Sequence, residues 1–219
     1  VIDTVKVPGG RIGHIGKVVS GTIKKDAKAD LSVSSLNRGN TCKNHTATHL
    51  LQEALREVLG DHVEQSGSYQ DGERTRFDFS HGQTMTTEEL KKVEEIVNAK
   101  IAEDLPVETK VMSLEEAKKT GAMALFGEKY SEKVRVVKMG DFSTELCGGT
   151  HVANTSTIGY FKILSEAGIA AGVRRIEALT SDGLMKHYAE VETELQEAAK
   201  TAKTTPAGLN AKIQSLLDE

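Results

Sequence analysis

The chain has 219 residues, 38% hydrophobic and only 4% aromatic, with a formal net charge of −4. That hydrophobic share excludes a disordered chain and allows one sizeable domain with appendages, its core resting on Val, Ile, Leu and Ala. No apolar run reaches the ~18–20 residues that span a bilayer, and no signal peptide opens the chain, so no membrane partner is expected. Cys42 and Cys147 lie far apart and suggest no disulfide framework, which points to a reducing, cytoplasmic setting. The acidic balance excludes a broad nucleic-acid-coating surface, yet residues 1–44 carry eight Lys/Arg against Asp3, Asp26 and Asp30. This basic front could meet a phosphate backbone locally or could be a solvated lysine-rich face.

In residues 1–37, β-prone stretches at Val5–Val7, His14–Ile23 and Leu31–Val33 alternate with glycines, which predicts a small β unit, part of a barrel too short to close by itself. Asn44 is expected to cap a helix that runs to about Leu59 and stops at Gly60. Its apolar face is Ala47, Leu50, Leu51, Ala54, Leu55, Val58 and Leu59, with His45, His49, Glu53 and Arg56 towards the other side. Arg74–Phe79 alternates as a strand. Thr86 and Glu89 spell a capping box for a second helix with an apolar stripe from Leu90 to Ile101, ended by Pro106. Ser113 and Glu116 spell another box for a short helix ending at Gly121, and strands are expected at Val134–Met139, Ile158–Leu164 and Val173–Leu179.

A polar helix is expected from about Gly183 to Lys203, and Pro206 suits the first turn of another, giving a helical hairpin. Runs of helices and strands without regular βαβ alternation favour an α+β fold. The division expected is a partial β-barrel unit over 1–37, a central domain over 38–181 and a helical hairpin over 182–219, the start of a coiled-coil or C-terminal region.

The chemistry concentrates in His45-Thr46-Ala47-Thr48-His49 and Cys147-Gly148-Gly149-Thr150-His151. On a helix His45 and His49 stand one turn apart on one face, so both imidazoles can reach one ion. Two glycines allow the second loop to bend until Cys147 and His151 face a common point. Three imidazoles and one thiolate suit Zn²⁺, a borderline-soft ion that favours tetrahedral N/S sites. The alternative is a pair of solvent-facing histidines and a buried structural cysteine. A zinc protease would need Glu where Thr46 stands, and a Cys147–His151 nucleophilic dyad lacks an orienting third residue. No Asp or Glu near the motifs is an obvious general base.

Asn44-His45-Thr46-Ala47-Thr48-His49-Leu50-Leu51, Arg76-Phe77-Asp78-Phe79-Ser80-His81, Cys147-Gly148-Gly149-Thr150-His151 and Ala171-Gly172-Val173-Arg174-Arg175-Ile176-Glu177 resemble the editing domain of alanyl-tRNA synthetases. The resemblance spans nearly the whole chain and implies a two-layer zinc-containing editing domain with His45, His49, Cys147 and His151 as metal ligands. It further implies that Thr48 and Gln65 line the amino-acid pocket, and that the substrate is the acceptor end of tRNA(Ala) wrongly charged with serine or glycine. Thr48 is i+3 from His45, so its hydroxyl could sit beside the metal face or bond back to its own helix. Gln65 reads from the residues alone as a loop position.

ATP would serve only an aminoacylation core that this segment lacks. His81 reads as a surface histidine, and Cys42 as a spectator able to compete for metal. One of Arg174 and Arg175 could meet phosphate while the other pairs with Asp78 or Glu177. Three other readings remain: a free-standing trans-editing protein, a threonyl-tRNA synthetase editing domain, which the Thr-Ala-Thr and Gly-Gly-Thr spacers disfavour, and a non-catalytic zinc-stabilised tRNA-binding module.

Overall fold

The structure, a computed structural model, describes residues 1–123 and 131–218. Residues 124–130, within the expected central domain, and Glu219, at the end of the expected hairpin, lie outside the described residues. The chain divides into two compact units, Val1–Val33 and Ser34–Glu219.

The first unit contains a hairpin of β1 (Asp3–Val7) and β2 (Arg11–Ile15), paired antiparallel around Gly9 and Gly10, both at positive φ. The expected strands at His14–Ile23 and Leu31–Val33 do not form beyond Ile15. Val18, Val19, Ile23, Leu31 and Val33 are all exposed: strand-prone residues stabilise a strand only where a neighbour covers them and completes the ladder, and among the described residues none does.

The second unit opens with α1 (Ser35–Leu59), a 25-residue helix capped by the Ser34 side chain and followed by Gly60 at φ 111°. It starts nine residues before the expected Asn44 cap. Asn44 lies inside the helix and is buried, donating to the Asp71 carbonyl (2.9 Å) and accepting from the Thr180 hydroxyl (2.7 Å). A side chain with tertiary partners no longer competes for the helix backbone, which is why an Asn is tolerated there.

Next come β3 (Gln65–Gln70), β4 (Thr75–Ser80), α2 (Thr87–Ala102), β5 (Val107–Ser113), α3 (Leu114–Lys119), β6 (Lys133–Met139) and β7 (Ser143–Leu146). Thr86 and Ser113 form the two capping boxes, each with its glutamate three residues on. After a 3-10 turn at Thr155–Ile158 the chain forms β8 (Phe161–Ala170), β9 (Val173–Thr180) and α4 (Ser181–Thr201). Pro206 begins a second 3-10 turn, and α5 (Leu209–Leu217) completes the described elements. Among the described residues no helix is long and apolar enough to cross a membrane.

Helices and antiparallel strands thus mix without βαβ repetition, in agreement with the α+β expectation. One sheet runs β3-β4-β9-β8 and another β5-β6-β7. The first places β4 centrally, so Phe77 and Phe79 are fully buried against Leu50, Leu51 and Leu55 of α1 and Val93 and Val97 of α2. β3, β5 and β7 were not foreseen. β3 and β5 are partly or wholly exposed and carry Gly, Gln, Lys and Glu, so they lack the alternation that signals a half-buried strand. β7 has only four residues, Ser143-Thr144-Glu145-Leu146, and is completed by pairing with β6.

Candidate metal centre

The buried stripe of α1 fixes which way its histidines face. Ala47, Leu50, Leu51 and Ala54 lock one side of the helix into the core, which turns His45 and His49 towards the segment that follows β7. That segment is held from behind. The Cys147 amide donates to the Arg135 carbonyl (3.0 Å), and the Arg135 guanidinium on β6 donates to the carbonyls of Cys147 (3.1 Å) and Gly149. Gly149 is needed for a second reason: a Cβ there would overlap the His45 ring.

His45, His49, Cys147 and His151 consequently come together, their ligand atoms all within 4.8 Å of one another. Cys147 Sγ lies 3.5 Å from His45 Nε2 and 3.4 Å from His151 Nε2, and accepts from the Gly149 amide at 3.4 Å. The three ring centroids are 4.4 to 5.2 Å apart.

His49 is 7% exposed, not turned to solvent as a polar-face position would be, and its Nε2 is buried with no protein partner. A buried ring nitrogen without a partner is costly, and an ion shared with a neighbouring thiolate removes that cost. The donor set and this orphaned nitrogen fit zinc.

Ionisation follows the same geometry. Burial pushes the Cys147 thiol up, but hydrogen bonds to His151 and His45, with the charge of His49, outweigh it and bring the thiol down to about 3. Burial disfavours the His49 cation, yet the charge of Glu145, the bond to Glu145 and the charge of the neighbouring Cys147 raise it to about 10. His151 is lowered, first by burial and then by the charges of His49 and His45.

Two residues at the cluster were missed in the sequence. Glu145, 4% exposed, lies with Oε2 2.7 Å from His49 Nδ1, a carboxylate beside the motifs that the sequence reading did not single out. Its signal was position: Glu145 is two residues before Cys147 on an extended segment and shares its face. Thr46 is fully buried, its hydroxyl 3.2 Å from His151 Nδ1 and bonded to the Cys42 carbonyl and Val152 amide.

The other expected residues are placed differently. Thr48 is buried with its hydroxyl donated to the Asn44 carbonyl (2.8 Å) and 2.7 Å from the Thr75 hydroxyl, so it bonds back to its own helix. Gln65 is the first residue of β3, paired with Phe79 across a bulge, rather than a loop residue. Among the described residues no hydrogen bond joins Thr48 or Gln65 to the four donors. Cys42 packs against the core and is outside the ligand group. His81 bonds His62 at the surface. Both arginines of β9 are paired: Arg175 with Asp78 (2.7 and 2.8 Å) and Arg174 with Glu166, while Glu177 takes Arg74.

Residues 134–177 match the family described as the threonyl and alanyl tRNA synthetase second additional domain. Over all 219 residues the chain is 60% identical to "Alanine--tRNA ligase 1" of Lachnoclostridium phytofermentans, covering 25% of that protein. It is 49% and 47% identical, at the same coverage, to the alanine–tRNA ligases of Acetivibrio thermocellus and Paraburkholderia phymatum. The chain thus spans about a quarter of the length of the curated relatives it matches. With that second additional domain in its sequence and such identity from end to end, the chain corresponds to a segment of alanine–tRNA ligases.

Proposed function

We propose that this chain is an editing domain that hydrolyses the ester joining serine or glycine to tRNA(Ala). Its full-length protein would be a cytoplasmic ligase that uses ATP to join alanine to tRNA(Ala). The observation that carries the reading is the convergence of His45, His49, Cys147 and His151 around a buried, partnerless His49 Nε2, in a chain that corresponds to a segment of such ligases. These four residues would hold Zn²⁺, completing the two-layer editing domain expected from the sequence. Bound there, zinc would supply positive charge for positioning the aminoacyl end.

The chemical need is discrimination. A site sized for alanine rejects glycine poorly, because one missing methylene is worth only about 1–3 kcal/mol, and a single added hydroxyl is also hard to exclude. A second site can instead demand what alanine lacks. Thr48 spends its proton on the Asn44 carbonyl and accepts from Thr75, so a remaining lone pair can accept from a serine hydroxyl. Gln65 supplies an amide for the same pocket. Four protein donors favour a positioning metal over one with an open coordination position.

The test is incubation of the zinc-loaded chain with Ser-tRNA(Ala) and Ala-tRNA(Ala). Free serine should appear and alanine stay attached. Retention of the RNA without release would instead identify a zinc-stabilised binding module.

A further inference from the structure

The three imidazoles of the centre are not held alike. The Thr46 hydroxyl has one proton, donated to the Cys42 carbonyl at 2.8 Å. Its oxygen can therefore only accept from His151 Nδ1, 3.2 Å away, as it does from the Val152 amide. His151 must carry its proton on Nδ1, which leaves the Nε2 lone pair facing Cys147.

His49 is constrained by a different group to the same result. A carboxylate only accepts, so Glu145 Oε2 at 2.7 Å requires the proton on His49 Nδ1, and the partnerless Nε2 is the atom left to ligate. Glu145 is itself held by the Ser143 hydroxyl, 3.2 Å from Oε1. His45 differs. Among the described residues no acceptor meets its Nδ1, and the Gly149 backbone closes over the ring instead.

We propose that Glu145 and Thr46 are positioning residues that set His49 and His151 as Nε2 ligands, leaving His45 the imidazole that only the metal and the loop hold. The proposal rests on the zinc reading of the four donors. Outer partners of this kind fix ring orientation and ligand basicity, and their loss typically costs about 10–100-fold in metal affinity.

The experiment measures zinc affinity by chelator competition for the wild-type chain and for E145A, E145Q, T46V and T46S, with imidazole ¹⁵N spectra of the zinc-loaded forms. E145A and T46V should weaken binding about 10–100-fold. T46S keeps the hydroxyl and E145Q keeps a carbonyl acceptor, so both should recover most of the loss. A purely structural role would not give this rescue pattern. The wild-type spectra should show two histidines ligated through Nε2 with Nδ1 protonated, and the His151 Nδ1–H signal should broaden in T46V.

Wild-type affinity in both E145A and T46V would overturn the proposal while leaving the zinc reading intact. So would Nδ1 ligation by His49 or His151. If E145A fails to fold, the contrast between T46V and T46S decides. No zinc uptake by the wild-type chain would overturn the zinc reading itself, and this proposal with it.

Discussion

His62 and His81 bring ring nitrogens to 2.9 Å with centroids 5.2 Å apart, and the centroids of His45 and His49 are also 5.2 Å apart. At the surface the first two nitrogens satisfy each other, one as donor and one as acceptor, and nothing is left over. At the buried cluster each ring turns a nitrogen inward, that of His49 has no protein partner, and a thiol sits within 3.5 Å of two of the others. Spacing between rings therefore does not make a ligand set. Burial of an unsatisfied nitrogen beside a group that can become an anion does.

The largest effect expected from this contrast is at the thiol. Cys147→Ala should lower zinc affinity by more than the roughly 10–100-fold cost of losing an outer partner, and should abolish serine release from Ser-tRNA(Ala). Metal analysis of the purified variant and the deacylation assay check both. Unchanged release would break the site assignment.

Gly149→Ala sharpens the comparison from the loop side. The added Cβ would displace the His45 ring, the free end of a side chain that can swing out, so the fold should lose only about 1 kcal/mol. Zinc affinity should nevertheless fall about tenfold or more, as for loss of an outer partner. Thermal melts and chelator competition separate the two quantities.

Titration offers a third approach. In the metal-free chain the Cys147 pKa is depressed from 9.0 to about 3, so its contribution to stability is full above 9 and is lost as pH falls through about 3. His49 is raised from 6.5 to about 10, so its contribution is full below 6.5 and is lost as pH rises through about 10. Thiolate absorbance should thus persist at neutral pH and disappear in Cys147→Ala. Denaturant midpoints should be highest between about pH 6.5 and 9 and fall on either side; a maximum outside that window would show that the pair is not ionised.

The smallest effect belongs to the surface pair. His62→Ala and His81→Ala should leave zinc stoichiometry unchanged and stability within about 0.5 kcal/mol, measured by metal analysis and thermal melts.

What the sequence could show follows from the range over which each signal acts. The core stripe of α1, the capping boxes at Thr86 and Ser113 and the spacing of the four donors are local patterns, and all three appear in the structure. Asn44 looked like a cap because its partners, Asp71 and Thr180, are 27 and 136 residues away. Leu31–Val33 looked like a strand because propensity carries no information about whether a neighbour exists. Glu145 was overlooked because its one local signal, a position two residues before Cys147, gains meaning only through contact with His49, 96 positions earlier. For Thr48 the opposite holds: its back-bond to Asn44 was a local alternative available from the start.

Two donors are mounted on a long helix, while the other two hang from a loop pinned by Arg135 to a separate sheet. The gap between helix and sheet is therefore the bite of the chelate. Anything that wedged those two bodies apart would loosen all four bonds to a captured ion at once, and such an ion would act as a rivet that keeps them clamped.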